Sequence, residues 1–270
     1  MTESKPSQPT DLRISINDRV AVLELNGPHV LNALHSTTHR AIHRAIDELD
    51  DREDVGAILI CGAGSSFCSG SDLREIGPLP DADVMRHVRL DFLTKNRVAG
   101  SQKPVLAAIH GWCVGGGIEL ALACDIRIAA SDAKFSMREV SLGGIPGSGG
   151  LQRLPQVVGT GVAKDWILTG RDVAATEAYD RALVTRLLPT EGFREAALEM
   201  AHAISRHSAT ALRFAKVALD PAPPSDRGLV IAYQMLAGAA CHADPRYEQE
   251  TDRFNRSEPD PAARTPDLRP

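Results

Sequence analysis

Short β-branched and aliphatic runs alternate with helical patterns through the first half of this chain, and that alternation restricts its fold more than any other feature. Ile14 to Ile16, Ala21 to Leu25, Ala57 to Cys61, Val105 to Ile109 and Ile126 to Ala129 read as strands. A parallel neighbour is reached only by a crossover, which the intervening helices supply, so the pattern favours an α/β core. After Ser36, a plausible N-cap, Ile42, Ala45, Ile46 and Leu49 recur at helical spacing. From Gly161 onward the pattern is nearly all helical, with Phe193, Ala196, Ala197, Met200, Ala203 and Ile204 as one apolar stripe. No period expected of a solenoid is present. The 270 residues, 43% of them hydrophobic, suffice for one large core or two small ones.

Charge and cysteine use exclude several classes of function. Thirty basic against 35 acidic residues, a net charge of −5, argue against a protein that coats nucleic acid or an anionic membrane. A local anion site of two or three cations stays open. No apolar run approaches the roughly 18 residues of a membrane helix, and MTESKPSQPT does not look like a secretory leader, so a cytoplasmic protein is expected. Cys61, Cys68, Cys113, Cys124 and Cys241 form no CxxC pair and read as reduced thiols. Residues 1–10 and the Pro-punctuated 257–270 read as tails. Asp220 to Arg227 reads as a stiff connector, and the uncharged Gly228 to Ala240 as a helix covered by the core or by another subunit.

Three glycine-rich stretches carry the chemistry. Gly62 to Leu73 and His110 to Glu119 each follow a strand directly, where α/β folds bind ligands, and Gly143 to Gly150 is the third. Gly115 to Gly117 run into a good helix sequence, so their amides suit a phosphate or a developing oxyanion, although for a glycine triplet taken alone a tight turn that allows close packing is the favoured reading. The stretch has neither dinucleotide nor Walker spacing. Glu119 is the sole charge between His110 and Asp125, an apolar setting that raises a carboxyl's proton affinity; an exposed helix position is the plainer alternative. Glu139 lies twenty residues on. Two carboxylates beside inward amides from Ser71 and Gly116 make a kit for splitting water against a carbonyl compound.

These residues resemble the crotonase, or enoyl-CoA hydratase/isomerase, superfamily. The likeness runs from about Ile14 to Phe254 through NGPHVLNAL (26–34), FCSGSDL (67–73), KPVLAAIHGWCVGGGIELALACDIRIAA (103–130), KFSMREVSLGGIPGSGGLQRLP (134–155) and LTG (168–170). It implies an α/β crotonase-like spiral of ββα repeats over 11–190, and a helical C-terminal trimerisation region over 191–256. An acyl-CoA thioester is the implied ligand and a homotrimer or dimer of trimers the implied assembly. No cofactor is implied, coenzyme A being part of the substrate, and no metal.

The resemblance places the oxyanion amides on Ser71 and Gly116, the two hydratase glutamates on Glu119 and Glu139, and an amide that seats water or product hydroxyl on Gly147. Substrate contacts fall on His29, Ser69, Ser71, Asp72, Leu73, Arg74 and Gly116. Both glutamates together favour hydration of a 2-enoyl-CoA over double-bond isomerisation, a specialised dehydration, or acyl-CoA binding without chemistry. Several positions depart from the family. Ser71 stands where Ala is common, and His29 where Lys or Arg is common, which leaves Arg74 as the better CoA contact. Arg138 replaces a frequent Pro and is expected to lower the pKa of Glu139. Residues 244–254 lack the usual Glu-Gly.

Three further features read as structural. His35, His39 and His43, at i, i+4 and i+8, read as a solvated face in the absence of partners at ligand spacing. Cys68 has no evident activating base. Trp112 and Phe135 read as packing residues.

Overall fold

The computed structural model describes residues 11–207, 209–219, 248–249, 251–253 and 256. Both tails, the 220–227 connector and the 228–240 segment lie outside the described residues. The strand–helix alternation appears as β1 (Leu12–Asn17), β2 (Val20–Leu25), α1 (Ser36–Asp50), β3 (Ala57–Gly62), α2 (Leu73–Ile76), α3 (Asp81–Ala99) and β4 (Val105–Ile109). It continues as β5 (Trp112–Val114), α4 (Gly116–Ala123), β6 (Ile126–Ala130), β7 (Lys134–Ser136), α5 (Gly150–Val158) and α6 (Thr160–Thr169). Then come β8 (Asp172–Ala174), α7 (Ala175–Asp180), β9 (Arg186–Leu188), α8 (Phe193–Ser205) and α9 (Ala209–Leu219).

Six strands form one sheet in the order β1-β2-β3-β4-β6-β9, antiparallel only between β1 and β2. The parallel strands are apolar on both faces because both are covered. On one face Leu23, Ile58, Ile60, Val105 and Ala107 meet the buried stripe of α1, and on the other Val22, Leu59, Leu106 and Ile128 meet α8. Burying each large side chain contributes about 1.5–3 kcal/mol, so the two faces lock the sheet and fix where its carboxyl ends point. A second sheet, β5-β7-β8, begins just past the carboxyl end of β4, from which only His110 and Gly111 separate β5.

Four details differ from the sequence reading. Ser36 is the first helical residue of α1, not its N-cap: its amide is held at 2.8 Å by Glu75 Oε2 instead of by a capping side chain. The stretch after Gly161 holds β8 and β9 as well as helices, strands too short to show a period. The buried stripe of α8 is Phe193, Ala197, Ala201 and Ser205, with Met200 and Ile204 at its border and Ala203 exposed. His39 is 1% exposed, 3.5 Å from Asp91, so α1 does not turn its histidines to solvent as a set. The packing of α3 against α1 accounts for this, because α3 covers the face on which His39 lies.

Candidate active site

The glycine-rich segments after β3 and β4 are drawn together by backbone pairing of Cys68 with Cys113, and the first of them is also tied to the loop before α1 by pairing of Ser71 with Leu34. They meet so closely that a Cβ on Gly116 would stand 3.1 Å from both the amide nitrogen and the hydroxyl of Ser71. Glycine is what allows the contact. Among the described residues neither the Ser71 nor the Gly116 amide donates to a protein acceptor. Both residues face a cavity of about 170 Å³ at the start of α4, also lined by Ser69, Glu119, Glu139 and Gly147. Leu73, Ile76, Val84, Val88, Leu142 and Ile145 give the cavity an apolar part.

Of the residues selected from sequence, Ser69, Ser71, Leu73, Gly116, Glu119, Glu139 and Gly147 therefore line one space. His29, Asp72 and Arg74 do not. His29 is exposed on a 3-10 turn (Pro28–Val30), and Arg74 is exposed on α2. Asp72 caps α2 by accepting from the Arg74 amide at 2.7 Å and lies 3.3 Å from His35. The Ser69 hydroxyl is turned to the Val30 carbonyl at 3.1 Å.

The two glutamates are held differently. Glu119, in the first turn of α4, is 3% exposed. Its Oε1 accepts the amides of Ser148 at 2.8 Å and Gly150 at 2.9 Å, and its Oε2 accepts from the buried Lys95 ammonium at 3.0 Å. Gly150 must be glycine for this: a Cβ there would stand 2.9 Å from Glu119 Oε1 and 2.8 Å from Pro146 Cβ. The apolar setting inferred from the sequence around Glu119 is thus replaced by a cation and two amides from distant segments.

Glu139 opens the 3-10 turn Glu139–Leu142, and its Oε2 is shielded from solvent with no hydrogen-bond partner among the described residues. Burial, reinforced by the Glu119 charge, pushes its pKa up to about 8. The expectation that Arg138 lowers that pKa fails. The Arg138 guanidinium pairs with Asp172, donates to Ser136 Oγ at 3.0 Å and lies over the Trp112 ring, so its charge is spent away from Glu139.

Sequence reasoning missed the polar wall behind Glu119. Lys95, 0% exposed, also contacts Asp91 at 2.5 Å; Asp91 in turn accepts from the Ser148 hydroxyl at 2.7 Å. The only signal was the i, i+4 spacing of Asp91 and Lys95, which by itself reads as a solvated surface pair. Cys68 is buried, and desolvation raises its pKa to about 12, so it is no nucleophile. The four described cysteines are all free. No helix among the described residues is long and apolar enough to cross a membrane.

Residues 15–234 match the family model described as enoyl-CoA hydratase/isomerase. The chain belongs to this family. A probable enoyl-CoA hydratase of Mycobacterium tuberculosis is 41% identical over 81% of this chain and 84% of its own length. A short-chain-enoyl-CoA hydratase of Clostridium acetobutylicum is 35% identical over 83% of this chain and 86% of its own. The crystal structure of an enoyl-CoA hydratase from Bacillus anthracis superposes with a TM-score of 0.77, at 31% identity, over 92% of this chain and 97% of that one. The α/β fold described above is the crotonase fold of these family members.

Proposed function

We propose that this protein is an enoyl-CoA hydratase, a hydro-lyase that adds water across the double bond of a 2-enoyl-CoA to give the 3-hydroxyacyl-CoA. The observation that carries the reading is the pairing, in one cavity, of a carboxylate held by cationic and amide donors with a carboxyl that keeps its proton near neutrality. Glu119 takes a proton from water as the water oxygen bonds to Cβ. The electrons of the double bond pass to the thioester oxygen, which the amides of Ser71 and Gly116 stabilise as an oxyanion hole; each such donor is worth about 2.7–4 kcal/mol. As the carbonyl re-forms, Cα takes the proton of Glu139. The amide of Gly147 seats the water or the product hydroxyl.

In this reading Leu73, Ile76, Val84 and Val88 receive the acyl chain, while Ser69, His29, Asp72 and Arg74 follow the CoA portion outward. Arg74 is the cation for a CoA phosphate. The helical C-terminal part assembles three copies, or two sets of three, which sedimentation velocity tests. A double-bond isomerisation in which one group shuttles the proton between two carbons leaves the second, separately held carboxylate without a role.

Loss of the conjugated enoyl-thioester absorbance of crotonyl-CoA tests the reaction. Hydration that fails in both Glu119→Gln and Glu139→Gln supports it. Absence of hydration by the wild-type protein at every acyl length would contradict it.

A further inference from the structure

Glu119 closes a ring of buried contacts. Its Oε1 meets the Ser148 amide at 2.8 Å, the Ser148 hydroxyl meets Asp91 Oδ2 at 2.7 Å, Asp91 Oδ1 meets Lys95 Nζ at 2.5 Å, and Lys95 Nζ returns to Glu119 Oε2 at 3.0 Å. A carboxylate offers about four lone-pair sites. Two amides fill those of Oε1, and Lys95 fills one on Oε2. One site, on Oε2, is left for water.

We propose that Lys95 is a positioning residue for the hydration: seated on Asp91, its ammonium bears directly on the Glu119 carboxylate and restricts it to a single open acceptor site facing the reacting water. The inference rests on the hydratase reading for its chemistry, but not for the contact that Lys95 makes with Glu119.

A buried lysine alone would lose its proton to desolvation. Here the charges of Asp91 and Glu119 outweigh that cost and hold the amine above its ordinary value. Asp91 has a second effect. An uncompensated ammonium against Glu119 would weaken it as a base, and Asp91 offsets part of that charge. The surrounding groups leave this balance to the pair: His39 of α1 is kept neutral by burial, with a pKa of about 4, and burial likewise lowers that of His87 on α3. Glu139 bears on Glu119 from across the cavity, Cys68 is held as the thiol, and Glu75 lies beyond the histidines. Arg153 of α5 donates to Asn96 Oδ1 at 2.6 Å.

The test is the acidic limb of the kcat–pH profile together with an infrared titration of the Glu119 carboxylate, which needs no substrate. Lys95→Met is expected to shift that limb, and the infrared midpoint, upward by about one pH unit or more. At pH 7 kcat falls roughly 10-fold or more because the carboxylate is no longer held in place, with KM changed by less than about 3-fold. Asp91→Asn shifts the limb and the midpoint the opposite way, because the Lys95 charge then bears on Glu119 alone, and Lys95→Arg restores most of the wild-type midpoint. Unmoved midpoints in Lys95→Met and Asp91→Asn, with activity following only the folded fraction, would overturn the proposal. If Lys95→Met is not recovered folded, Asp91→Asn and Lys95→Arg decide it on the same readouts. A wild-type protein that hydrates nothing sinks the hydratase reading instead, and the infrared midpoints still decide what Lys95 does.

Discussion

Glu119 and Glu139 face one cavity with opposite surroundings. Three donors reach Glu119 from α3 and from the loop that opens α5, whereas one oxygen of Glu139 is shielded with no donor among the described residues. Hydrogen bonds and a nearby cation favour an ionised carboxyl, and burial beside a like charge favours a protonated one. Each glutamate therefore promotes the state of the other: the ionised Glu119 is one reason that Glu139 holds its proton up to about pH 8. Two identical side chains acquire opposite surroundings because different segments of the fold reach them, which suits the proposed roles of base and acid.

The difference is broken most severely by removing either carboxyl. Glu119→Gln and Glu139→Gln are each expected to lower kcat by roughly 10²–10⁴-fold in steady-state hydration assays. Equal, mild losses would show that the two roles are not distinct. Gly150→Ala leaves both carboxyls in place but puts a methyl group 2.9 Å from Glu119 Oε1. Displacing the base in this way should cost roughly 10–100-fold in kcat, and a crystal structure of the variant should show the carboxylate shifted.

Smaller effects sharpen the comparison through pH. If Glu139 is the acid, as proposed, activity should fall as pH rises through about 8, and the loss should be absent from the residual activity of Glu139→Gln. The same raised pKa sets a stability slope. Between about 4.5 and 8 the folded state keeps a proton that the unfolded chain releases, so stability declines as pH rises across that window. Glu139→Gln should remove the slope and stabilise the protein at pH 8.5 by roughly 1–2 kcal/mol in denaturant melts, solvent at the partly exposed Glu139 residue screening the rest. His39 acts at the other end of the scale. Its pKa falls from 6.5 to about 4, so stability is lost as pH drops through that interval, and His39→Gln should flatten this acid-side decline.

The carboxylates and the glycine segments were legible in the sequence because their signal is local. A strand, a glycine run and a helix start adjoin one another at Val105 to Ala123, and their order alone puts inward amides at the end of a strand. The environment of those carboxylates was not legible. Glu119 has apolar neighbours in sequence, yet its donors come from Lys95, Ser148 and Gly150, 24 to 31 positions away. Asp91 and Lys95 have the spacing of a surface pair, and only the packing of α3 against α1 and α4 buries them. The burial of His39 is hidden from the sequence for the same reason. Arg138 differs in the other direction: it adjoins Glu139 in sequence, but its partner is Asp172, 34 residues on.

Above all, the proposed mechanism requires that one carboxyl in the cavity be protonated at neutral pH while the other is ionised. Infrared difference spectroscopy at pH 7 tests it directly. A protonated carboxyl band that disappears in Glu139→Gln, persists in Glu119→Gln and titrates near pH 8 in the wild type is the predicted result. A band that is missing from the wild type, or that disappears in Glu119→Gln while persisting in Glu139→Gln, would contradict it.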